Sequence, residues 1–394
     1  FPASGQLKLF FNRPGAPSIE LDESTLGGGS VSGLLKFNNT DLAEGRNLLG
    51  RMAMAIGMAL NEQQNQGLTL DRQLGNDLFS LPTSMPGSTN GSAVGNVTFG
   101  DPTKFAASDY EIRFTTPPAG QVVRLSDGKA TAFTDSANLA SMQIDGLTFN
   151  LTTTGVAGER MLFKPFSTAA SDMKALVYSP RDLAAANPVN AAMDPSNGGT
   201  LQLSGLTAKS GFTAPPIPSG VQLTFNAGPP TTYSVTGSTT PPSGTTGLSY
   251  TSGTPIVIDG WEITLKGTPK TDDTVTVGNA LDPKYGDNYT RNAGNATALM
   301  NLRDVKMFDE STLSDGYASA MAQVGTRTQS ALFASDLSKS IAVNLENDRT
   351  AVSGVNLDEE AAKLLQYQQA YQASAKMLQI AQSVFDTLIQ NLGR

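Results

Sequence analysis

The residues of this sequence that could do acid–base chemistry are two pairs of neighbouring carboxylates, Asp272-Asp273 and Glu359-Glu360. Neighbouring side chains point to opposite faces of a strand and diverge by about 100° around a helix. Neither pair can therefore converge on one substrate, and we predict that neither acts as a general acid and base.

Other catalytic machinery is missing from the composition. The chain has no Cys and no His, which removes thiol nucleophiles, disulfides and the usual ligands of zinc, copper and haem. Gly33 is followed by Leu34 and Leu35 rather than by the Lys and the Ser or Thr of a phosphate-binding loop, so Gly27–Gly33 is interpreted as a turn. Trp261, the only Trp, begins an alternating run and is interpreted as a core residue rather than a sugar-binding platform. We predict no catalytic, cofactor-binding or metal site, and hence no enzyme.

Length and charge limit the remaining classes of protein. With 394 residues the chain exceeds the roughly 250–300 residues at which single cores stop growing, so several domains are expected. The net charge is −8 and no basic run is present, which argues against a nucleic-acid or anionic-membrane surface. No apolar stretch approaches the roughly 20 residues of a membrane span, and Phe1–Gly5 lacks the features of a signal peptide. Because an alternating strand pattern follows Phe1 directly, we expect the natural N-terminus to be missing.

A first helix is predicted from about Asp41 to Gln66. The cluster Asn38–Asp41 is typical of a helix N-cap, and Glu44 follows Asp41 at the spacing of a capping box. Gly67 is expected to end the helix. The residues that recur near the helical period are Leu42, Leu49, Met52, Ile56 and Leu60.

From Pro82 to Asp282 the chain is rich in Thr, Ser, Gly and Pro, with short alternating apolar runs such as Tyr110–Phe114. This pattern predicts antiparallel β structure. Two Asp-Gly pairs, Asp127-Gly128 and Asp145-Gly146, favour tight hairpin turns because they accept positive φ angles. The stretch Pro229–Gly253 is interpreted as a long exposed loop.

The β region also repeats itself. Ile258–Leu265 matches Ile144–Leu151 with its Asp-Gly pair included, and Gln222–Phe225 matches Glu111–Phe114 at a similar offset. We therefore predict two related β modules whose border lies between Ala184 and Gly205.

After Asp282 the pattern becomes helical again. A short helix is predicted around Ala296 to Val305, and a longer one from about Leu313 to Arg349, ending before Gly354. Because the longer helix and the Asp41–Gln66 helix each have a broad apolar side, we expect the two to pack together.

The C-terminal segment has the clearest pattern. From Leu357 to Leu392 an apolar residue occurs at every seventh position, as in the a series of a coiled coil, and few charges flank it. We expect this helix to be buried against the Leu313–Arg349 helix, another copy, or both, and to act as an assembly element. The expected partner contacts are Leu364, Tyr367, Tyr371, Leu378, Phe385, Leu388 and Leu392.

The predicted fold class is multidomain α+β, with antiparallel β modules inserted into a discontinuous, coiled-coil-like helical domain. Residues 1–82 form the N-terminal part of the split helical domain. The first β module is 83–190, the second is 191–282, the helical domain returns over 283–352, and 353–394 is the heptad helix.

Three groups of residues form recognisable motifs: Gly27–Gly29, Gly33–Leu35, Leu48-Leu49, Asn61–Gly67, Gly75 and Phe79; then Gly286–Asn288, Asn295-Ala296, Ala298-Leu299, Thr312-Leu313, Tyr317 and Val324-Gly325; then Ser353–Glu360, Tyr367–Tyr371 and Leu378-Gln379. These groups resemble one family of flagellar proteins. The most specific is the C-terminal group, which is similar to a signature shared by rod, hook and junction proteins; the first two resemble the hook-associated protein 1 family. Gln64 stands where that family's pattern has His.

The resemblance implies a structural adaptor that joins hook to filament by helical self-assembly. It implies an extracellular place in the bacterial flagellum after export without a cleaved signal peptide. The implied partners are other copies of the chain, the hook protein, a second junction protein or flagellin, and an export chaperone at the C-terminal helix; no cofactor, nucleic acid or membrane is implied. Two alternatives remain open: a hook or distal rod axial protein, and a surface adhesin acting through its β modules.

Overall fold

The computed structural model describes residues 6–21, 25–208, 220–285, 289–353 and 357–392. The chain forms two compact units, Phe1–Val324 and Gly325–Arg394. The α-helices are α1 (Gly29–Lys36), α2 (Leu42–Asn65), α3 (Ser136–Ser141), α4 (Ala169–Asp172), α5 (Gly294–Asn301), α6 (Leu313–Ser353) and α7 (Leu357–Leu392). The strands are β1 (Leu9–Phe11), β2 (Ile19–Leu21), β3 (Phe79–Ser80), β4 (Ser84–Pro86), β5 (Ser88–Thr89), β6 (Val94–Phe99), β7 (Tyr110–Thr116), β8 (Ala119–Arg124), β9 (Ala130–Phe133), β10 (Leu147–Thr153), β11 (Arg160–Phe163), β12 (Lys174–Ala175), β13 (Val189–Met193), β14 (Gln202–Ala208), β15 (Val221–Asn226), β16 (Thr232–Thr236), β17 (Thr245–Ser249), β18 (Pro255–Ile258), β19 (Trp261–Lys266) and β20 (Thr274–Asn279).

Helices α1 and α2 form one helical run joined by a π-helical turn, Phe37–Asp41. The predicted helix start at Asn38–Asp41 is therefore wrong: Asp41 has helical angles (φ −66°, ψ −42°) and its side chain makes no capping hydrogen bond. The polar cluster makes a different contact. The Asn39 side chain accepts a hydrogen bond from the Leu7 N–H (2.8 Å) and donates one to the Leu7 carbonyl (3.0 Å). The C-terminal end agrees with prediction, because α2 ends just before Gly67.

The first β module contains β4–β11. It has a five-stranded sheet of order β5-β11-β7-β8-β9 and a three-stranded sheet of order β10-β6-β4. Alternate residues of β7, Tyr110, Ile112 and Phe114, are buried, as the alternating pattern predicts. The predicted turn at Asp127-Gly128 joins β8 to β9, whereas Asp145-Gly146 precedes β10 and is closed by a single bridge between Ile144 and Leu147.

The second β module repeats this topology except in the third strand of the smaller sheet, because β18 pairs with β19 whereas β4 pairs with β6. Its five-stranded sheet has the order β13-β20-β15-β16-β17, and its three-stranded sheet the order β14-β19-β18. Strand for strand, the first sheet corresponds to β5-β11-β7-β8-β9, and the β14-β19 pair corresponds to β6-β10. Asp259-Gly260 precedes β19 just as Asp145-Gly146 precedes β10, with positive φ at all four residues. The predicted internal repeat is confirmed.

The interpretation of Pro229–Gly253 as a loop is wrong. The segment forms β16 and β17, which are consecutive strands of the five-stranded sheet. Val235 is fully buried and the Tyr250 ring packs edge-to-face on Phe225 at 5.2 Å. The composition misled because Thr, Ser and Gly supply the outward positions of these strands while only a few apolar residues face the core.

Between the two modules the chain returns to α2. Phe166 and Ala169 are buried in one cluster with Met52, Met54 and Ala55 of α2, and a Cβ at Gly50 would collide with the Phe166 carbonyl. Farther on, β12 pairs with β3, and the backbones of Leu68 and Ala186 exchange hydrogen bonds of 2.8 and 3.2 Å. The predicted first module, 83–190, includes this returning segment, and β13 begins two residues before the predicted second module.

The expected packing of α2 against the Leu313–Arg349 helix is found at the start of that helix, within the first unit. Leu313 and Ala320 of α6 join the apolar cluster of α2, but Val324, Leu337 and other large apolar residues farther along α6 are exposed. After the second β module the chain also contacts α2 through α5, and Met307 and Phe308 are buried.

The second unit contains the remainder of α6 and the whole of α7. The continuous C-terminal helix predicted from about Leu357 is present through Leu392. Helix α6 ends at Ser353, one residue before the predicted break at Gly354. Gly354 and the predicted cap residue Asn356 lie outside the described residues.

Candidate functional site

The predicted partner-contact residues lie on α7 and share one property, exposure. The six whose side chains are described are 53–78% exposed: Leu364, Tyr367, Tyr371, Leu378, Phe385 and Leu388. The expectation that they are buried against the Leu313–Arg349 helix is therefore wrong, while burial against another copy stays a prediction. The side chain of the seventh residue, Leu392, lies outside the described part of the chain. We call this row of residues the α7 stripe.

Charge is concentrated at the start of α7. Lys363 Nζ lies 3.3 Å from the Glu359 carboxylate and 3.2 Å from that of Glu360. This acidic first turn suits a helix N-terminus, where the backbone dipole favours negative charge. The Glu359-Glu360 pair thus has a structural use, and the rest of α7 presents the stripe with few ions around it.

The other carboxylate pair, Asp272-Asp273, is divided by a turn. Asp272 has φ 68°, whereas the buried Asp273 accepts hydrogen bonds from the N–H groups of Gly198 (2.8 Å), Gly199 (3.0 Å) and Lys270 (2.8 Å). Burial would raise the pKa of Asp273, but these three hydrogen bonds lower it below its ordinary value. Its role is to bind the backbone that leads into β14.

Glu159 has the same role in the first module: its carboxylate binds backbone N–H groups. It is buried and accepts hydrogen bonds from Ala93 N–H (2.8 Å), Val156 N–H (2.9 Å) and the Thr89 hydroxyl (2.8 Å). Burial would raise the pKa of Glu159, but the hydrogen bonds lower it to about 2. The position also matches that of Asp273: the Glu159 carbonyl accepts from Phe114 N–H, and the Asp273 carbonyl from Phe225 N–H, on the equivalent strands β7 and β15.

A second group of polar residues joins α2 to the rest of its unit. We call Asn61, Gln63, Gln64 and Asn295 the amide cluster. Asn61 accepts from the N–H groups of Leu78 (2.9 Å) and Phe79 (3.0 Å) and donates to the Phe79 carbonyl (2.8 Å). The four residues of the amide cluster belong to the motifs Asn61–Gly67 and Asn295-Ala296 that carry the family resemblance. In the structure these motif residues bind distant loops through hydrogen bonds.

Gln64 lies at the centre of the amide cluster and is fully buried. It donates to the Asp182 carbonyl (2.9 Å) and accepts from the Ala184 N–H (3.2 Å). Asn295 donates to the carbonyl of the same Ala184 (2.6 Å) and accepts from Gln63 (2.7 Å). Sequence reasoning noted Gln64 only as a departure from a family pattern, because contacts across more than 100 residues leave no local signal.

Arg51 connects separate parts of the fold, and the sequence analysis did not predict this role. Its guanidinium is buried, donates to the Phe105 carbonyl (3.2 Å) and to the Asp309 carboxylate (2.9 Å), and lies 5.6 Å from the Phe308 ring centre. Arg51 thereby links α2 to the turn that precedes α6. An Arg on a mostly apolar helix face was the available signal.

The described part of the chain shows neither a metal-binding cluster nor a membrane-spanning helix. Within those residues no group of three or more acidic side chains is placed to hold a metal ion. Among the described helices none is long and apolar enough to cross a membrane. Trp261 is fully buried in the core of the second module, as interpreted from the sequence.

Three protein-family models match separate parts of the chain. Residues 2–79 match the helical domain of flagellar hook-associated protein FlgK, and residues 85–165 match the D2-like domain of flagellar hook-associated protein 1. Residues 349–391 match the C-terminal model of the flagellar basal body rod FlgEFG proteins.

Curated relatives and a solved structure agree with the family models. Flagellar hook-associated protein 1 of Salmonella typhimurium is 27% identical over 379 residues, covering 95% of this chain and 52% of the relative; that of Escherichia coli K12 is 25% identical over 377 residues, covering 95% and 51%. The flagellar hook junction protein FlgK of Burkholderia pseudomallei has a TM-score of 0.70 at 24% identity, over 86% of this chain and 66% of that one. The chain spans about half the length of the curated relatives it matches.

The fold and these matches define an α+β multidomain protein in which β modules interrupt a helical region. Over 95% of its length the chain is similar to flagellar hook-associated protein 1 of Salmonella typhimurium and Escherichia coli K12.

Proposed function

We propose that this chain is part of a structural adaptor of the bacterial flagellum that joins hook to filament by helical self-assembly. The observation that carries the proposal is the α7 stripe. Its large apolar side chains recur every seven residues, and the six that are described are more than half exposed, which is the arrangement of a helix that packs with other helices.

Burial energy supports this reading of the stripe. Complete burial of one Leu or Phe side chain stabilises an association by about 1.5–3 kcal/mol. The five Leu and Phe residues of the stripe therefore supply enough free energy to hold α7 in a helical array, even after the entropy of ordering is subtracted. Other copies of the chain, the hook protein, and the second junction protein or flagellin are the proposed partners.

The exposed stripe also bears on events before assembly. A contiguous apolar surface in water favours aggregation, so we assign α7 as the site where an export chaperone covers the chain until it leaves the cell. The proposed role is structural and its place is the extracellular flagellum.

The test replaces Leu378 and Phe385 together by Asp in the complete chromosomal gene. Burying unpaired carboxylates in an apolar array is costly, so we expect the protein to be absent from the hook tip and the cells to be non-motile. Immunogold labelling of hooks and swimming assays provide the measurements.

A matched control adds the same two charges elsewhere on the helix. Gln379→Asp with Ser383→Asp places them at b and f positions, away from the stripe, and we expect near-normal incorporation. Motile cells with normal filaments from the Leu378 and Phe385 double variant would contradict the proposed function.

A further inference from the structure

A groove lies at the C-terminal end of α2, between the loop before β3 and the segment after β12. Its volume is about 540 Å³, and its lining includes Asn76, Asp77, Leu176, Val177 and Asp182. Both walls are fixed: Leu176 N–H donates to the Leu78 carbonyl (2.8 Å), and Gln64 holds the Asp182 carbonyl.

The groove combines apolar and acidic surface. Leu176 is 47% exposed. Asp77 accepts one hydrogen bond, from Asn65 (2.9 Å), and neither Asp77 nor Asp182 has an ion-pair partner among the described residues. A chain segment with an aromatic residue beside a cation would complement both properties.

Such a segment exists at the other end of the same helical run. The β1–β2 hairpin exposes Phe10 (53%) and Phe11 (50%). At its tip the Arg13 guanidinium lies 6.0 Å from the Phe11 ring centre and forms no ion pair within the described ranges. The tip therefore offers the cation and the aromatic ring that would complement the acidic and apolar surface of the groove.

The hairpin cannot reach the groove of its own chain. Asn39 anchors Leu7 through two hydrogen bonds, and Arg13 is six residues farther on, about 20 Å if fully extended. Asn39 is 26 residues from Asn65, which lines the groove, and that distance along the helix is about 39 Å. The occupant must come from another molecule.

We propose that the β1–β2 hairpin of one copy docks into the groove of a second copy. Arg13 would lie between the carboxylates of Asp77 and Asp182, and Phe11 would pack against Leu176. The contact joins two different surfaces, so it links copies head to tail, or pairwise when both contacts form at once. It is separate from the α7 stripe and stands whether or not the stripe assembles.

Site-specific cross-linking tests the contact directly, because the natural chain has no Cys. One variant has Asn12→Cys at the hairpin tip and the other Asn76→Cys in the groove, both with Leu378→Asp and Phe385→Asp so that the stripe cannot associate. Under mild oxidation we expect the mixture to form a disulfide-linked heterodimer, and each variant alone to form far less dimer. Equal yields from the variants alone, or no heterodimer, would overturn the proposal.

A charge exchange tests the predicted ion pair. Arg13→Asp in the first variant, or Asp182→Arg in the second, should lower the heterodimer yield by about tenfold, and the two changes together should restore it. Asp304→Arg, an exposed acid outside the groove, is the control and should leave the yield unchanged. If the single charge reversals leave the heterodimer yield unchanged, this docking geometry is contradicted. It is also contradicted if the double exchange does not restore the yield.

Discussion

Gln64 makes two hydrogen bonds that no shorter side chain can replace. Its amide satisfies the Asp182 carbonyl and the Ala184 N–H at a fully buried position. We predict that Gln64→Ala lowers the free energy of unfolding by about 2–4 kcal/mol, because two backbone groups lose their partner and a cavity opens. Urea unfolding followed by circular dichroism measures the loss.

Two further variants separate hydrogen bonding from packing at this position. A neutral imidazole has one donor and one acceptor, so Gln64→His should cost clearly less than Gln64→Ala. Gln73→Ala, at an exposed position on the following loop, should change the free energy by less than about 0.5 kcal/mol. If Gln64→Ala were as mild as the Gln73 variant, the amide cluster would not hold this unit together.

Glu159 makes the stability of the first module depend on pH below about 4.5. Its pKa is about 2 in the folded chain against an ordinary 4.5, so its carboxylate contributes stability that is fully present above pH 4.5 and is lost as the pH falls towards 2. Glu159→Gln should therefore flatten the fall of unfolding free energy in that window while lowering it at neutral pH. An unchanged pH slope in urea titrations would refute the assignment.

At the scale of elements, the features that could be predicted are those with a local pattern. Asp-Gly pairs require positive φ, so Asp145-Gly146 and Asp259-Gly260 indicated their turns and, through their flanking strands, the internal repeat. The seven-residue spacing of α7 likewise defined a continuous helix before any fold was known.

Elements that depend on distant contacts could not be predicted. The polar cluster before α2 reads as a cap, yet the helix continues through it because Asn39 binds Leu7 and a π turn absorbs the extra residue. The return of Phe166 to α2 depends on the absence of a side chain at Gly50, a complementarity visible only in three dimensions. The seven-residue row of α7 could be predicted from its spacing, whereas the molecule that covers it could not, and its role as a partner surface stays a prediction.

The π turn gives a prediction for the hairpin it anchors. Asn39→Ala removes both hydrogen bonds to Leu7 and should loosen β1 and β2 without unfolding α2, because local openings need not involve the whole unit. Hydrogen exchange of peptides covering residues 7–21 should accelerate, with α2 unchanged. Lys36→Ala, at an exposed position of the same helical run, is the control; equal exchange in the two variants would show that the anchor is unimportant.

At the scale of the whole molecule, the apolar cores are separate. One core includes α2, the first β module and the beginning of α6, and the other lies entirely within the second β module. A small cluster of Leu68, Ala186 and Ala280 is the third. Because few apolar contacts link the two large cores, each is expected to unfold as its own cooperative unit.

Equivalent positions in the two modules allow a matched test of this independence. Ile112 in β7 and Leu223 in β15 are both fully buried, and replacing either by Ala should cost about 2–5 kcal/mol in its own core. Trp261, the only Trp, lies in the second core, so its fluorescence reports that core alone. We predict that Leu223→Ala shifts the fluorescence transition in urea to lower concentration, while Ile112→Ala shifts only the far-ultraviolet circular dichroism. A fluorescence midpoint that moved equally in both variants would mean that the modules unfold together, since distant substitutions in separate units should act independently.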